Sequence, residues 1–275
     1  RDVRIVNLSL LNTNWYIKQL KRQEPYGAKK VPISTSDVDI ERIGPIPWEE
    51  RALDLPVAPE VVRQYQGEVP GVSVLDTSIT NRGVLRFTLA PTLVFGDVRA
   101  LRVQDILVYD IIRTSNWQRP VYFAMTVSDD GKIGLRDYMH LRGLAFKLTP
   151  RRGPFWQNLD TKTIEAHLFN EVETPSKEPQ LGFRWRGLQN PGHYFDEDSR
   201  RLVMSNYRNL FFTVAEHYVY TAKEPQKAIR VLERMEEVIP HNVISMDPGM
   251  LYRMGIVHAE AGQKERSTAF LQELV

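Results

Sequence analysis

The sequence has 275 residues, 42% hydrophobic and 25% charged, which suits one large globular domain or two smaller ones. With 36 basic against 34 acidic residues the net charge is +2, so overall charge gives no argument for a nucleic acid or an anionic membrane surface as partner. The lack of cysteine excludes disulfides, thiolate catalysis and Cys-based zinc sites, and no apolar window is long enough to span a bilayer.

The chain begins at Arg1 without a Met and runs straight into Val3-Arg-Ile-Val-Asn-Leu, and it stops at Val275 inside a helical pattern. Both ends read as cuts in a longer protein whose flanks carry membrane segments or the chemistry. Residues 3–10 alternate as a strand does. Asn12 and Thr13 then offer capping side chains to a short helix over Trp15–Arg22, where Tyr16 and Leu20 share a face and Lys18, Lys21 and Arg22 suit the C-terminal dipole. Residues 25–70 hold seven of the seventeen prolines, so a winding surface segment with one short helix near Glu60–Gln64 is expected.

A hairpin is predicted from Val72-Ser-Val-Leu and Val84-Leu-Arg-Phe-Thr-Leu around Asn81-Arg-Gly83, with Leu85, Phe87 and Leu89 on one face. Residues 101–115 read as a helix that is apolar nearly all round, hence mostly buried. The run Pro120–Ser128 is apolar on both faces and predicts a central strand. Asp129-Asp130-Gly131 is a turn, Leu135–Leu141 reads as helix and Leu144–Leu148 as strand. This order predicts an α/β part, with a mixed sheet packed against helices, over residues 1–192. Residues 150–192 are again proline-rich and irregular.

The remainder, 193–275, reads as an all-α region of tetratricopeptide-like helical hairpins. Ala228, Leu232 and Met235 fit the second-helix positions, with Pro240 as the terminating proline. Met254, Gly255, Gly262, Ser267, Leu271 and Leu274 fit the following unit. The surplus length over a nominal repeat falls in His241–Asp247. About two hairpins result, fewer than the three usual in a self-standing array.

The six histidines, His140, His167, His193, His217, His241 and His258, show no metal-ligand spacing. Asp37-Val-Asp39 and Asp196-Glu-Asp198 resemble the Asp-x-Asp of metal-dependent sugar transferases. They also fit a loop (Asp37) and a helix cap (Asp196). Phosphate loops and the Gly-x-Ser-x-Gly elbow are missing, and Arg151-Arg152, Arg200-Arg201 and Arg184-Trp185-Arg186 are too short for a nucleic-acid footprint. The most suggestive residues are Asn7, Asn12, Asn14, Trp15 and Tyr16 in the first βα unit, with Asn116, Trp117 and Arg119 before the central strand. Ligands of open α/β sheets favour the carboxyl ends of strands, and Asn with aromatics suits a sugar. The other reading is that Asn caps the helix and Trp packs on the sheet.

Four stretches in order carry a family resemblance: Val6–Ile17, Asn116–Ala124, Asp137-Tyr with Gly143-Leu-Ala-Phe and Pro150, and Asn190–Asp196 with Arg208-Asn. Together they are similar to the bacterial membrane proteins classed as domain of unknown function 2723, over roughly residues 1–208. The resemblance implies a protein O-mannosyltransferase-like, GT-C-type parent. In such a parent a multi-span membrane part carries, on an extracytoplasmic loop, the acidic residue that acts as catalytic base, and a soluble C-terminal part lies on the periplasmic face of the inner membrane. An Asp-Asn-Asp-Thr motif usual upstream of the first strand is absent here. The resemblance therefore transfers no catalytic residue, metal or cofactor to this chain. Asn7, Asn12, Asn14, Trp15, Tyr16, Asn116, Arg119 and Tyr122 are the candidate binding residues. The expected partners are the parent's own membrane part and an acceptor protein or peptide on the helical repeats. The competing classes are an interaction module without sugar transfer and, least supported, an autonomous soluble enzyme.

Overall fold

The structure, a computed structural model, describes residues 3–66, 74–154, 157–172, 174, 178 and 180–274. The expected strand over 3–10 does not form. Asn7 diverts the backbone, its Oδ1 accepting from the Leu10 amide at 3.2 Å, and a 3-10 turn follows at Leu10–Asn12. Helix α1, Asn14–Arg22, buries Ile17 and Leu20 and carries Lys21 and Arg22 in its last turn, as predicted. Helix α2, Asp37–Arg42, starts at Ser36, whose hydroxyl accepts from the Asp39 amide at 3.1 Å.

Proline density hid several short elements. Strand β1 is Ile46–Pro47, β2 is Arg51–Pro56, helix α3 is Pro59–Gln66 and strand β3 is Val74–Leu75. Only α3 and β3, which lies within the predicted strand Val72–Leu75, were expected. The predicted hairpin is replaced by helix α4, Thr77–Arg82, between β3 and strand β4, Val84–Leu89. Asp76 caps α4 by accepting from the Ser78 amide at 2.7 Å, and Gly83 closes it at φ 64°. The Asn81-Arg-Gly83 signal is thus a helix end rather than a hairpin turn. Val72 and Ser73 lie outside the described residues. Strand β4 keeps the predicted alternation, with Leu85, Phe87 and Leu89 buried, but its partner is β2, from Arg51↔Leu89 to Pro56↔Val84.

Strands β5, Leu93–Phe95, and β6, Val98–Leu101, precede helix α5, Val103–Ser115. Strand β7 is only Tyr122–Ala124. It is an edge strand rather than a central one, with Phe123 buried and Tyr122 and Ala124 exposed. Over 135–141 a 3-10 turn at Arg136–Tyr138 leads into strand β8, Met139–Leu141, instead of the expected helix. Strand β9, Ala145–Leu148, matches expectation, and β10 is Arg151–Arg152.

The single mixed sheet predicted from the sequence is therefore four small antiparallel ones, ordered β1-β6-β5, β2-β4, β3-β10 and β7-β9-β8. Parallel pairing among the described residues is confined to the bridges Leu141↔Leu159 and Glu171↔Phe183. Prolines at 45, 47, 91, 120 and 150 interrupt the apolar runs, and the strands are two to six residues long.

Gly134 sits where only glycine fits. Its φ is +78°, and a Cβ there would lie 2.1 Å from the Thr88 carbonyl oxygen. Gly134→Ala is expected to cost about 2 kcal/mol from strain and overpacking, read as a lower urea midpoint at unchanged slope.

Helix α6, Thr161–Phe169, starts at Asp160, whose carboxylate accepts from the Thr163 amide at 3.1 Å. Helix α7, Glu197–Leu202, is capped by Asp196, as read from the sequence. It runs through a π turn at Val203–Arg208 into α8, Asn209–Glu216, and a second π turn at His217–Thr221. Helices α9, Pro225–Val238, α10, Pro248–Glu260, and α11, Lys264–Gln272, complete the described chain. Ala228, Leu232, Met235, Met254 and Ser267 are all buried, whereas Leu274 is exposed. A Cβ on Gly255 would stand 2.6 Å from Leu271 Cγ, so α10 and α11 approach closely at that glycine. The buried hydrophobic residues form one cluster from Leu11 to Val257, and Tyr218 on the second π turn donates to Glu165 of α6 at 2.5 Å.

Candidate functional site

The predicted binding residues separate into two groups at opposite ends of α5. Thirteen helical residues span about 20 Å. At the N-terminal end, Asn12 accepts from the Gln104 amide at 3.2 Å and donates to the Gln104 side chain at 2.9 Å. Asn14 donates to the Glu41 carboxylate at 3.2 Å, and the Asn7 amide donates to the Tyr16 hydroxyl at 2.9 Å. Trp15 stands 60% exposed, edge-on to Tyr16. These polar groups fasten the 3-10 turn to α5 and α1 to α2. Tyr122 is exposed on the edge strand β7, where it pairs with Lys147 of β9.

At the C-terminal end a cleft of about 400 Å³ opens between α3 and the segment 116–121. Asn116 ends α5 in the left-handed region at φ 46°, and Trp117 follows at φ 61°. Two consecutive non-glycine residues in that region cost about 1–3 kcal/mol each and persist only where surrounding contacts hold them. The contacts are explicit. The Trp117 indole N–H donates to the Pro56 carbonyl at 2.8 Å, and the Gln118 amide to Ser115 at 2.9 Å. Arg119 Nη1 donates to the Lys30 carbonyl at 2.6 Å, and the Leu148 amide to Val121 at 2.9 Å. The facing wall is Glu60, Val61, Gln64 and Tyr65 of α3, and Lys147 closes the floor, its Nζ 5.2 Å from the Tyr65 ring centroid.

The structure thus joins Asn116, Trp117 and Arg119 in one site and excludes the other candidates from it. The α3 wall and Lys147 were missed. The helix near Glu60 was legible, but nothing in the sequence pairs it with residues 116–121.

The remaining candidates resolve into packing. Asp37 pairs with Lys21 at 3.1 Å and with Arg22, whose hydrogen bonds hold its carboxyl below the ordinary value. Burial lowers His140, which lies opposite Lys147 in the β8–β9 ladder, to about 4, so it is neutral near pH 7. His167 is also lowered by burial and stacks on Phe183, and His258 stacks on Phe270. Among the described residues no three His, Asp or Glu side chains are placed to hold a metal ion, and no helix is long and apolar enough to cross a membrane.

No curated protein and no solved structure matches the chain. Residues 1–44 and 88–166 match the family model described as TMEM260-associated domain 2. The intervening 45–87, which carries the α3 wall and Pro56, is outside the matched segments. Over these two segments, then, the chain is similar to a TMEM260-associated domain.

Proposed function

We propose that this chain is the extracytoplasmic C-terminal part of a multi-span membrane glycosyltransferase-like protein that moves a lipid-linked sugar onto a protein. In this reading the chain binds the acceptor or supports the catalytic membrane part. The observation that carries it is the match to the TMEM260-associated domain over 1–44 and 88–166. The helices from Glu197 onward support a tetratricopeptide-like reading. Of the residues assigned to repeat positions, Ala228, Leu232, Met235, Met254 and Ser267 are buried and Leu274 is not, and Gly255 takes close packing from Leu271. Helix pairs of this kind offer surface to an extended peptide.

The test is deletion of this part from the full-length protein in its host, followed by intact-mass measurement of secreted and envelope proteins. Loss of hexose-sized mass increments, with the truncated protein still present in the membrane, is the expected result. Unchanged glycosylation would overturn the proposal and favour an interaction module without sugar transfer. Exposed Tyr220 and Tyr252, on the second π turn and on α10, motivate that second reading.

A further inference from the structure

We infer that the cleft between α3 and residues 116–121 is a carbohydrate site that takes one pyranose ring against Trp117. The inference concerns the isolated chain and does not depend on the parent's transferring a sugar.

Three observations converge on it. The first is the backbone. Asn116 and Trp117 are held at φ 46° and 61°, where glycine would be relaxed, and together they form one side of the cleft. Asn tolerates this region at a helix end, whereas a bulky Trp is an outlier there, so the placement of Trp117 is the one that the helix end alone does not account for.

The second is the fixed indole. Its N–H is committed to the Pro56 carbonyl, which locks the ring orientation while the ring lines the cleft. A ring immobilised before binding loses little entropy on stacking. Its π face suits the C–H-rich face of a pyranose.

The third is the set of polar groups around it. Asn116, Gln64 and Glu60 are exposed at the rim, and their side chains make no hydrogen bond among the described residues. Arg119 spends one nitrogen on Lys30 and keeps further donors for the cleft. An amide that both donates and accepts, a carboxylate acceptor and a guanidinium donor can serve the vicinal hydroxyls of a sugar, each of which both donates and accepts.

The volume of about 400 Å³ is at the lower end of small-ligand sites, enough for one or two sugar rings. A site this open, binding through one stacking face and a few hydrogen bonds, is expected to work in the millimolar range for a single ring.

The experiment uses the 275-residue chain labelled with ¹⁵N. Its five tryptophans give five indole N–H resonances, and the one lost in Trp117→Phe is that of Trp117. Methyl glycosides of glucose, mannose and galactose are titrated separately. The expected result is a saturable shift of the Trp117 resonance with at least one of them. Asn116→Gly then separates function from folding. Glycine relaxes φ 46°, so this variant is expected to melt no lower than the parent chain. It loses the amide, and affinity should fall about tenfold, the equivalent of one lost hydrogen bond.

No saturable shift with any of the three glycosides would overturn the inference, as would unchanged affinity in Asn116→Gly. If a serine- and threonine-rich peptide moves the Trp117 resonance and the glycosides do not, the cleft is a peptide site and the inference fails.

Discussion

Arg208→Met is expected to lower the free energy of unfolding by about 3–5 kcal/mol, the loss that follows when a buried cation bonded through both terminal nitrogens is removed. Arg208 is the last residue of the first π turn, and its side chain is completely buried. Nη1 donates to the Ser245 carbonyl at 2.9 Å, and Nη2 donates to Ile239 at 3.2 Å and to Ile244. These three carbonyls belong to the connection between α9 and α10. That connection has no ladder of its own, so one guanidinium supplies donors that a regular element would otherwise provide. Burial lowers the Arg208 pKa to about 10, with Glu236 and Asp247 acting against the shift, so the group remains a cation near neutral pH. Methionine approximates the stem but leaves the buried Ile239 and Ile244 carbonyls, and the part-buried Ser245 carbonyl, without this donor. Lysine keeps the charge, but its compact ammonium cannot reproduce the fork, and it should recover less than half of the loss. Urea unfolding gives the magnitude. Hydrogen exchange should show the amides of 239–247 losing protection before those of α9. A loss below about 1 kcal/mol would mean that the loop is held by its own packing.

What was legible follows from how local each signal is. Helix α5 was legible because Val103, Leu107, Val108 and Ile112 recur at helical spacing and are buried. Its two carboxylates were not read as buried. Asp105 is satisfied by Arg102 Nε at 2.7 Å, and Asp110 by a loop about 75 residues earlier. Strand β2 was hidden because Pro56 and the prolines around it argue against strand, yet an edge position beside β4 tolerates them. Val3–Leu10 alternated well enough for a strand, and the side chain of Asn7 overrode that pattern. The site was half legible for the same reason. Asn116, Trp117 and Arg119 are contiguous and conspicuous, whereas the α3 wall comes from 45–87, the segment between the two family-matched stretches. Asn7, Asn12 and Asn14 attracted a ligand reading through composition, but their hydrogen bonds are spent on Leu10, Gln104 and Glu41.

Asp110→Ala is expected to cost about 3–4 kcal/mol, and Asp110→Asn about 2. Asp110 lies in the last turns of α5 and is buried. Its carboxylate accepts from the Ser34 amide at 2.8 Å and the Thr35 amide at 3.1 Å, and from both their hydroxyls, Thr35 Oγ1 at 3.2 Å. Arg113 and Thr114 add weaker bonds at 3.4 and 3.3 Å. Every neighbour is a donor, so alanine leaves the part-buried Ser34 and Thr35 amides without their acceptor. Asparagine keeps one acceptor oxygen and turns an amino group toward donors. Burial by itself raises the carboxyl pKa, but the Ser34 and Thr35 hydrogen bonds outweigh it, and the net position is below the ordinary 3.8. A carboxyl whose folded pKa is depressed binds fewer protons folded than unfolded, so its contribution is complete above the unfolded value. It is lost as pH falls through about 4 and then through the lower folded value. The stability gap between the parent chain and Asp110→Ala should therefore be constant from pH 5 to 7 and narrow below about pH 4. A gap that stays constant down to pH 3 would show that the carboxylate charge contributes nothing there. The same residue also reaches the cleft. Ser34 and Thr35 follow Lys30 closely in the chain, and the Lys30 carbonyl anchors Arg119. Loosening that loop frees Arg119 from its 2.6 Å bond, so Asp110→Ala should weaken glycoside binding even at temperatures where the variant remains folded. Asn116→Gly acts on the cleft without lowering stability, and the contrast between the two variants separates loss of a ligand contact from loss of its support.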